Sequence, residues 1–306
     1  MKVALTNLSN SLFNDSRFRL NASAQRFDIR EINSYDLEDI KNSDFYTQNS
    51  EVLAQPRGIG YWLWKPYIIL ETLKKLSEGD IVLYSDCGIE IIQPLDPLID
   101  ICRNQQDIVL FANSNLVNFT WTKRDCFVFM NADSEEFWFS PQCDAAFALF
   151  RHTKKSIQFL QDWLRFGSDP RIITDLPNTG PKKNFFGFVD HRWDQSILSI
   201  LSRKFELPLF RMPSQFGNHY KSAAVRVQGE FNCINQFRQT QVDFYATHPY
   251  ENSPYLQLLN HHRSTSGRKE SQNTPSAMKK LNSRWLYLKY QLALGLHRQK
   301  IEKYRM

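Results

Sequence analysis

A short apolar segment that ends in an acidic residue constrains the fold of this chain most strongly. Ile81–Ser85 is a largely apolar run that follows a turn signal at Gly79, and Asp86-Cys87-Gly88 comes directly after it. Such a run is typical of a central strand in an α/β sheet, where ligands bind beyond the carboxyl ends of the strands. The sequence therefore predicts that Asp86 lies at a ligand-binding edge.

The pattern around this strand predicts alternating helices and strands. A helix is expected after Trp62-Leu63-Trp64-Lys65-Pro66, because proline suits a first helical turn and four apolar residues then share one face: Ile69, Leu70, Leu73 and Leu76. Further strands are expected at residues 3–5, 27–32 and 107–111, and further helices at 152–166 and 194–201. This order indicates an α/β fold.

Composition limits the classes of protein to consider. The chain has 306 residues, of which 42% are hydrophobic, enough to bury a sizeable core. It contains no apolar run of about 20 residues and begins with a polar segment, so we expect an intracellular, cytoplasmic protein. Its five cysteines never occur as CxxC, which argues against a disulfide framework or a thiolate zinc site.

Positive charge is concentrated in the C-terminal tail. Residues 263–306 contain 11 Lys and Arg but two acids, whereas residues 1–262 contain 27 basic and 30 acidic residues. The body thus offers no broad basic field for nucleic acid. We predict a body at 1–262, a polar linker at 263–278 and a basic amphipathic helix at 279–306.

The predicted C-terminal helix carries a stripe of apolar residues at helical spacing: Leu281, Trp285, Leu288, Leu292 and Leu296. Three uses of this helix remain open: packing onto the body or a partner, binding an anionic membrane face, or binding nucleic acid. The apolar stripe requires burial, which disfavours a bare nucleic-acid arm. Docking on the body or a partner is the first expectation, and peripheral membrane contact at the inner face is the second.

Three separated segments occur in an informative order: Trp62-Leu63-Trp64-Lys65-Pro66, the strand end Tyr84-Ser85-Asp86-Cys87-Gly88, and His191-Arg192-Trp193-Asp194-Gln195-Ser196. Together they resemble bacterial glycosyltransferase-like proteins of the GT-A fold, over roughly Val3 to Tyr220. The resemblance implies a Rossmann-like nucleotide-sugar-binding sheet flanked by helices. It also implies a hexosyltransferase-like enzyme, of the kind used in polysaccharide biosynthesis, that moves a sugar from a nucleoside diphosphate to a glycan or lipid-linked glycan.

The resemblance also implies roles for individual residues. In that fold a D-x-D signature holds a divalent cation on the donor diphosphate, and here Asp86 stands at the first acid while Gly88 stands at the last. Mg²⁺ or Mn²⁺ would then be held by Asp86, with His219 as a late histidine ligand. The expected donor-binding residues are Lys65, Trp64, Arg57, Asp86, Gly88 and Arg192.

Asp194 and His191 are the expected catalytic residues. In an inverting enzyme Asp194 would deprotonate the acceptor hydroxyl, and in a retaining enzyme it would stabilise the oxocarbenium-like centre; the sequence leaves both open. Structural roles also stay open, because Asp194 suits a helix N-cap and His191 suits a buried histidine bonded to backbone. The adjacent His261 and His262 lack partners at metal-ligand spacing and are expected at the surface.

Two other classes of function remain as alternatives. The missing second acid of the D-x-D pattern makes a non-catalytic protein that binds nucleotide sugars or glycans credible. An adaptor that uses its basic tail to bind a membrane or an acidic partner would bind no nucleotide. A polar loop at 167–184 is long enough to suggest a lid or an acceptor-binding loop.

Overall fold

A six-stranded sheet forms the centre of the fold. The structure is a computed structural model that describes residues 1–217, 251–262 and 277–304, except the side chains of residues 114, 115 and 277–284. The sheet has the strand order β2-β1-β3-β6-β5-β7, and β4 and β8 form a separate two-stranded sheet. The strands are β1 Val3–Leu8, β2 Glu31–Tyr35, β3 Ile81–Ser85, β4 Ile89–Ile91, β5 Ile108–Val117, β6 Pro141–Arg151, β7 Phe210–Arg211 and β8 Leu259–His261.

Strand direction places the ends of β1, β2 and β3 at one edge. β1 runs parallel to both β2 and β3, so their carboxyl ends meet there. β6 is antiparallel to β3 and to β5, and β7 is parallel to β5. Asp86 follows β3 directly, so it lies at the edge where open α/β sheets bind ligands.

Helices cover both faces of this sheet. Those in the first half are α1 Asn14–Arg26, α2 Leu37–Lys41, α3 Asp44–Gln48, α4 Ser50–Leu53, α5 Gly58–Tyr61, α6 Trp64–Leu73 and α7 Asp96–Asn104, with a 3-10 turn at Ser11–Phe13. Those in the second half are α8 Asn118–Trp121, α9 Arg124–Phe129, α10 Glu135–Trp138, α11 Lys154–Gly167, α12 Pro170–Ile173, α13 Trp193–Lys204, α14 Ala277–Leu296 and α15 Arg298–Lys303.

The core is divided by the sheet. A larger apolar cluster contains side chains of α6, α11 and α13, and a smaller one contains side chains of α1 and α7. The central strand β3 is buried along its whole length, as its apolar run predicts. The predicted α/β fold is thus confirmed, and so is the presence of a C-terminal helix.

The second strand begins later than its sequence suggests. Phe27 to Ile29 turn back on α1: Asp28 has a left-handed φ of 62°, and the Ile29 N–H donates to the Ala24 carbonyl. Such a left-handed residue ends a helix and satisfies its last carbonyl groups. β2 therefore covers Glu31–Tyr35 instead of the predicted 27–32.

The C-terminal helix packs on the body through a face other than the predicted one. Tyr290 and Ala293 are fully buried, and they pack in a cluster with Phe119 and Trp121 of α8. The stripe residues with described side chains are exposed: Trp285 by 61%, Leu288 by 57%, Leu292 by 56% and Leu296 by 68%. Docking on the body agrees with the first expectation, but the expectation that the stripe itself is buried there is wrong.

Several predictions fall outside the described residues. His219 lies there, and so does most of the predicted linker, residues 263–276. In the part of the chain that the structure covers, no helix is both long enough and apolar enough to cross a membrane.

Candidate functional site

Three predicted site residues, distant in sequence, meet beyond the carboxyl end of β3. Lys65 lies in the first turn of α6, Asp86 follows β3, and Asp194 lies in the first turn of α13. The Lys65 Nζ atom is 3.0 Å from Asp194 Oδ2 and 3.4 Å from Asp86 Oδ1. It also donates to the Ala145 carbonyl of β6 at 2.9 Å. One ammonium group thus joins two carboxylates and the neighbouring strand.

The lysine is a positioning group in this arrangement. Its side chain is only 4% exposed, and its three N–H bonds have three oxygen partners. A diphosphate could bind this ammonium only by displacing one of them. Asp86, in contrast, is 38% exposed at its side chain and is the member of the cluster that faces solvent.

Tyr84 is a fourth member of the cluster, and the sequence reasoning did not identify its role. Its buried hydroxyl donates to Asp86 Oδ1 at 2.5 Å. Burial, and then the charge of Asp86, hold the pKa of this hydroxyl well above its usual value. The tyrosine therefore stays protonated and fixes the orientation of the carboxylate. Strand alternation alone gave a signal, because Tyr84 lies two residues before Asp86.

Burial and charge act in opposite directions on the two buried members. Burial raises the pKa of Asp194 to about 6, although the attraction of Lys65 opposes this. Burial alone would lower the pKa of Lys65, but the charges of Asp194 and Asp86 outweigh it, so the pKa of the ammonium is raised. At neutral pH the cluster therefore holds a charged lysine between two carboxylates.

A left-handed turn delivers Lys65 to this position. All residues from Gly58 to Trp62 have positive φ, including the β-branched Ile59 at 56° and Tyr61 at 53°. Such backbone is unfavourable for residues other than glycine and persists only where packing enforces it. A Cβ on Gly60 would lie 2.5 Å from Leu53 Cα, so only glycine fits there.

Trp64 and Trp62 support this turn. The buried Trp64 donates its Nε1–H to the Gly58 carbonyl at 3.0 Å, closing the turn, so the structure gives this predicted donor contact a structural role. Trp62 packs against Trp193, with ring centroids 5.2 Å apart. Trp193 itself has a φ of 49° and directly precedes Asp194. The strained backbone on both chains is therefore joined by aromatic packing next to the carboxylates.

Arg57 and Arg192 lie around this tryptophan pair. The Arg57 Nε is 2.8 Å from Asp175 Oδ2, and its guanidinium lies 4.8 Å from the Trp193 ring centroid. The Arg192 guanidinium lies over the same ring at 5.4 Å. Neither residue contacts the Lys65 cluster directly in the described contacts, so their predicted binding to a diphosphate remains a prediction.

His191 is held in the interior. Its Nδ1 accepts from the Lys123 N–H at 3.3 Å, and its Nε2 lies 2.8 Å from the Ile172 carbonyl. Burial and the nearby charge of Lys123 lower the pKa of His191 to about 3. The ring is neutral at physiological pH and ties α12 to the start of α13, which favours the structural alternative for this residue.

The long polar loop is anchored to the body. The buried carboxylate of Asp125 accepts from the backbone N–H groups of Thr179 and Gly180 and from the Thr179 hydroxyl. Within the same segment Pro170–Ile173 forms helix α12. These contacts hold residues 170–180 against α9, so the described loop is not built as a free lid.

The two adjacent histidines lie closer to the site than their sequence suggested. β8 pairs antiparallel with β4, which matches Ile89 with His261. The His262 N–H donates to the Gly88 carbonyl at 2.8 Å, and a Cβ on Gly88 would lie 3.0 Å from the His262 carbonyl oxygen. Gly88 therefore makes room for this second strand. The apolar residues before His261 were the signal for that strand.

A divalent cation would find an incomplete set of protein ligands here. Within residues 1–217, 251–262 and 277–304 no three His, Cys, Asp or Glu side chains come together as a metal site. Asp86 suits a hard cation, and a diphosphate would have to supply most of the other oxygen ligands. The residues of the cluster fit Mg²⁺ or Mn²⁺ only in that shared form.

Comparisons with known proteins add three distant likenesses. Mouse xyloside xylosyltransferase 1 matches with a TM-score of 0.46 and 9% identity, covering 90% of this chain and 100% of that one. The glycosyltransferase GlyE of Streptococcus pneumoniae matches with a TM-score of 0.40 and 12% identity, covering 98% of this chain and 64% of that one. The galactosyltransferase LgtC, in complex with donor and acceptor sugar analogues, matches with a TM-score of 0.38 and 13% identity, covering 92% and 95%.

These likenesses carry no conclusion about activity, because the TM-scores are below 0.5 and the identities do not exceed 13%. No protein-family model matches the chain, and no curated protein does.

Proposed function

We propose that this protein is a glycosyltransferase that moves a sugar from a nucleoside diphosphate to a hydroxyl group of a glycan or lipid-linked glycan. The observation that carries the proposal is the convergence of Lys65, Asp86 and Asp194 at the carboxyl edge of three parallel strands. Their motifs also carry the resemblance to GT-A-fold glycosyltransferases. Buried, mutually shifted ionisable groups at such an edge are typical of a reaction centre.

The cluster supports a division of roles. Asp86, the exposed carboxylate, binds the donor side, directly or through a cation that it shares with the diphosphate. Asp194 serves the reacting carbon or the acceptor hydroxyl, and at neutral pH it is ionised, as either role requires. Lys65 holds both carboxylates in place and adds positive charge close to the leaving diphosphate.

Mg²⁺ or Mn²⁺ belongs to the proposal as a group held jointly by Asp86 and the donor phosphates, with His219 as a further ligand. When bound, such a cation would neutralise charge on the leaving group. The protein's own part is to orient Asp86, through the Tyr84 hydroxyl and the Lys65 ammonium.

Calorimetric titration with UDP, GDP, CDP and their common sugar conjugates, each with and without Mn²⁺, tests the donor site. Binding selective for one base is expected, and Asp86→Asn should weaken it by at least about tenfold. The matched control is Asp28→Asn, since Asp28 is an exposed acid with a left-handed backbone that asparagine tolerates. Absence of binding to every nucleotide by folded protein would overturn the proposal.

Transfer itself requires a second measurement. Mass spectrometry of donor incubated with glycan acceptors should show sugar transfer that Asp194→Asn abolishes, and the anomeric configuration of the product distinguishes inversion from retention. Donor binding without any turnover would instead support a non-catalytic nucleotide-sugar-binding protein. One observation favours that second candidate: Gly88 stands at the position of the second acid, and its space is filled by the His262 backbone.

A further inference from the structure

The C-terminal helix α14 is apolar on two opposite faces. One face, with Tyr290, Ala293 and Leu294, is buried against α8. The other face carries the stripe residues Trp285, Leu288, Leu292 and Leu296, which we call the outer stripe, each more than half exposed. A helix of a water-soluble body needs only one buried face. The outer stripe is therefore apolar surface that the described part of the body does not cover.

Positive charge accompanies this stripe. The Lys289 ammonium lies 5.5 Å from the Trp285 ring centroid, so a cation stands beside the exposed aromatic ring. The following helix α15 adds Arg298, Lys300 and Lys303 against the single acid Glu302. Across residues 263–306 basic residues outnumber acidic ones by 11 to two, while the rest of the chain is slightly acidic.

We infer that the outer stripe is a docking surface for an anionic lipid bilayer. A helix with Trp and Leu on one side and Lys and Arg beside them lies in a membrane interface, with its apolar side chains inserted about 5–10 Å. Negatively charged headgroups complement the local charge.

Other partners match only part of this chemistry. Nucleic acid complements the charge but gives the leucines no apolar medium, and a second copy of the chain brings the same positive charge against itself. The bilayer is also consistent with a lipid-linked acceptor, but the inference does not depend on the proposed transfer reaction. The docked inner face adds that α14 would hold the body against the membrane in one fixed orientation.

Flotation of the full chain with vesicles tests this surface. Vesicles of phosphatidylcholine with about one third phosphatidylglycerol should bind the protein, pure phosphatidylcholine should bind it weakly, and about 0.5 M salt should reduce the binding. Leu288→Gln together with Leu292→Gln should lower the partition coefficient by about tenfold or more. Both residues are more than half exposed, so an unchanged circular dichroism spectrum and melting temperature are expected.

Leu256→Gln is the matched control, because Leu256 is 80% exposed but lies outside the C-terminal helix. It should bind like the unaltered chain. The inference is overturned if the unaltered chain does not bind anionic vesicles, or if the double variant binds as well as the control. A dimer that depends on the outer stripe, seen by light scattering in the absence of vesicle binding, would overturn it in favour of self-association. Nucleotide binding is expected to be equal in all these variants, so failure here is distinct from failure of the proposed donor site.

Discussion

Lys65 is the residue whose removal most directly tests the charged cluster. Lys65→Met leaves Asp194 buried without its cation, and breaking a buried ion pair from one side costs about 3–5 kcal/mol of unfolding free energy. We expect a loss of that size in urea denaturation. Lys41→Met is the control, since Lys41 pairs with Glu38 on the surface and should change stability by less than about 0.5 kcal/mol.

A double variant separates pairing from packing at this position. Adding Asp194→Leu to Lys65→Met removes both buried charges, and an apolar pair of similar volume avoids the cost of desolvating them. The double variant should therefore be more stable than Lys65→Met alone. A loss equal to the sum of the two single losses would show that the two residues stabilise the protein independently.

His191 gives the protein a stability that depends on pH. Its pKa is about 3 in the folded protein against 6.5 for an ordinary histidine, so below pH 6.5 the unfolded chain binds a proton that the folded chain does not. This contribution is complete above pH 6.5 and is lost by about 1.4 kcal/mol per pH unit as the pH falls towards 3.

The His191→Gln variant should lack this dependence. Between pH 6.5 and 5 the free energy of unfolding of the unaltered protein should fall by about 2 kcal/mol more than that of the variant. Urea denaturation at both pH values measures the difference. Parallel slopes would show that the ring is protonated in the folded state and is accessible to solvent.

At the scale of elements, the left-handed turn before α6 is the feature that positions the cluster. Gly60→Ala places a Cβ 2.5 Å from Leu53 Cα at a φ of 82°, so overpacking and backbone strain add. We expect a loss of roughly 2–4 kcal/mol in unfolding free energy. Gly295→Ala is the matched control: it lies in α14 with no atom within 4 Å of its added Cβ, and it should stabilise the protein by about 0.5–1 kcal/mol. Equal effects of the two substitutions would contradict a packing-enforced turn.

Local patterns in the sequence were enough to predict the elements that carry the site. The apolar run of β3, the proline in the first turn of α6 and the spacing in α13 are local signals, and they indicated correctly the helices and the strand that bear Lys65, Asp86 and Asp194. The left-handed turn could not be predicted, because packing against Leu53 enforces it. The pairing of β8 with β4 joins segments far apart in sequence, so no local pattern reports it.

The two faces of α14 show the same limit. Helical spacing identified the outer stripe as apolar, but which face packs depends on complementarity with α8. A short side chain at Ala293 permits close approach to the body: the Ala293 Cβ lies only 2.4 Å from where a Cβ on Gly187 would stand. The stripe of larger leucines was the stronger signal in sequence and the wrong one for docking.

At the scale of the whole molecule, the C-terminal helix is connected to the candidate site through α8. Tyr290 packs edge to face on Trp121, with ring centroids 6.3 Å apart. The Trp121 carbonyl in turn accepts from the Arg192 N–H and the Ser196 hydroxyl, which flank Asp194. The position of the first turn of α13 therefore depends partly on a contact made by the last helices of the chain.

Removal of residues 277–306 should therefore affect both stability and the site. The deletion exposes Phe119, Trp121 and Phe139, which are at most 4% exposed in the full chain, so we expect the melting temperature to fall by more than about 5 °C. Nucleotide binding by calorimetry should weaken as well, because the support of α8 for Arg192 and Ser196 is lost. The outer-stripe double variant, Leu288→Gln with Leu292→Gln, keeps the inner face and should retain both properties. If the shortened chain melts and binds like the full one, the two C-terminal helices are an independent appendage and their inner face contributes nothing to the body.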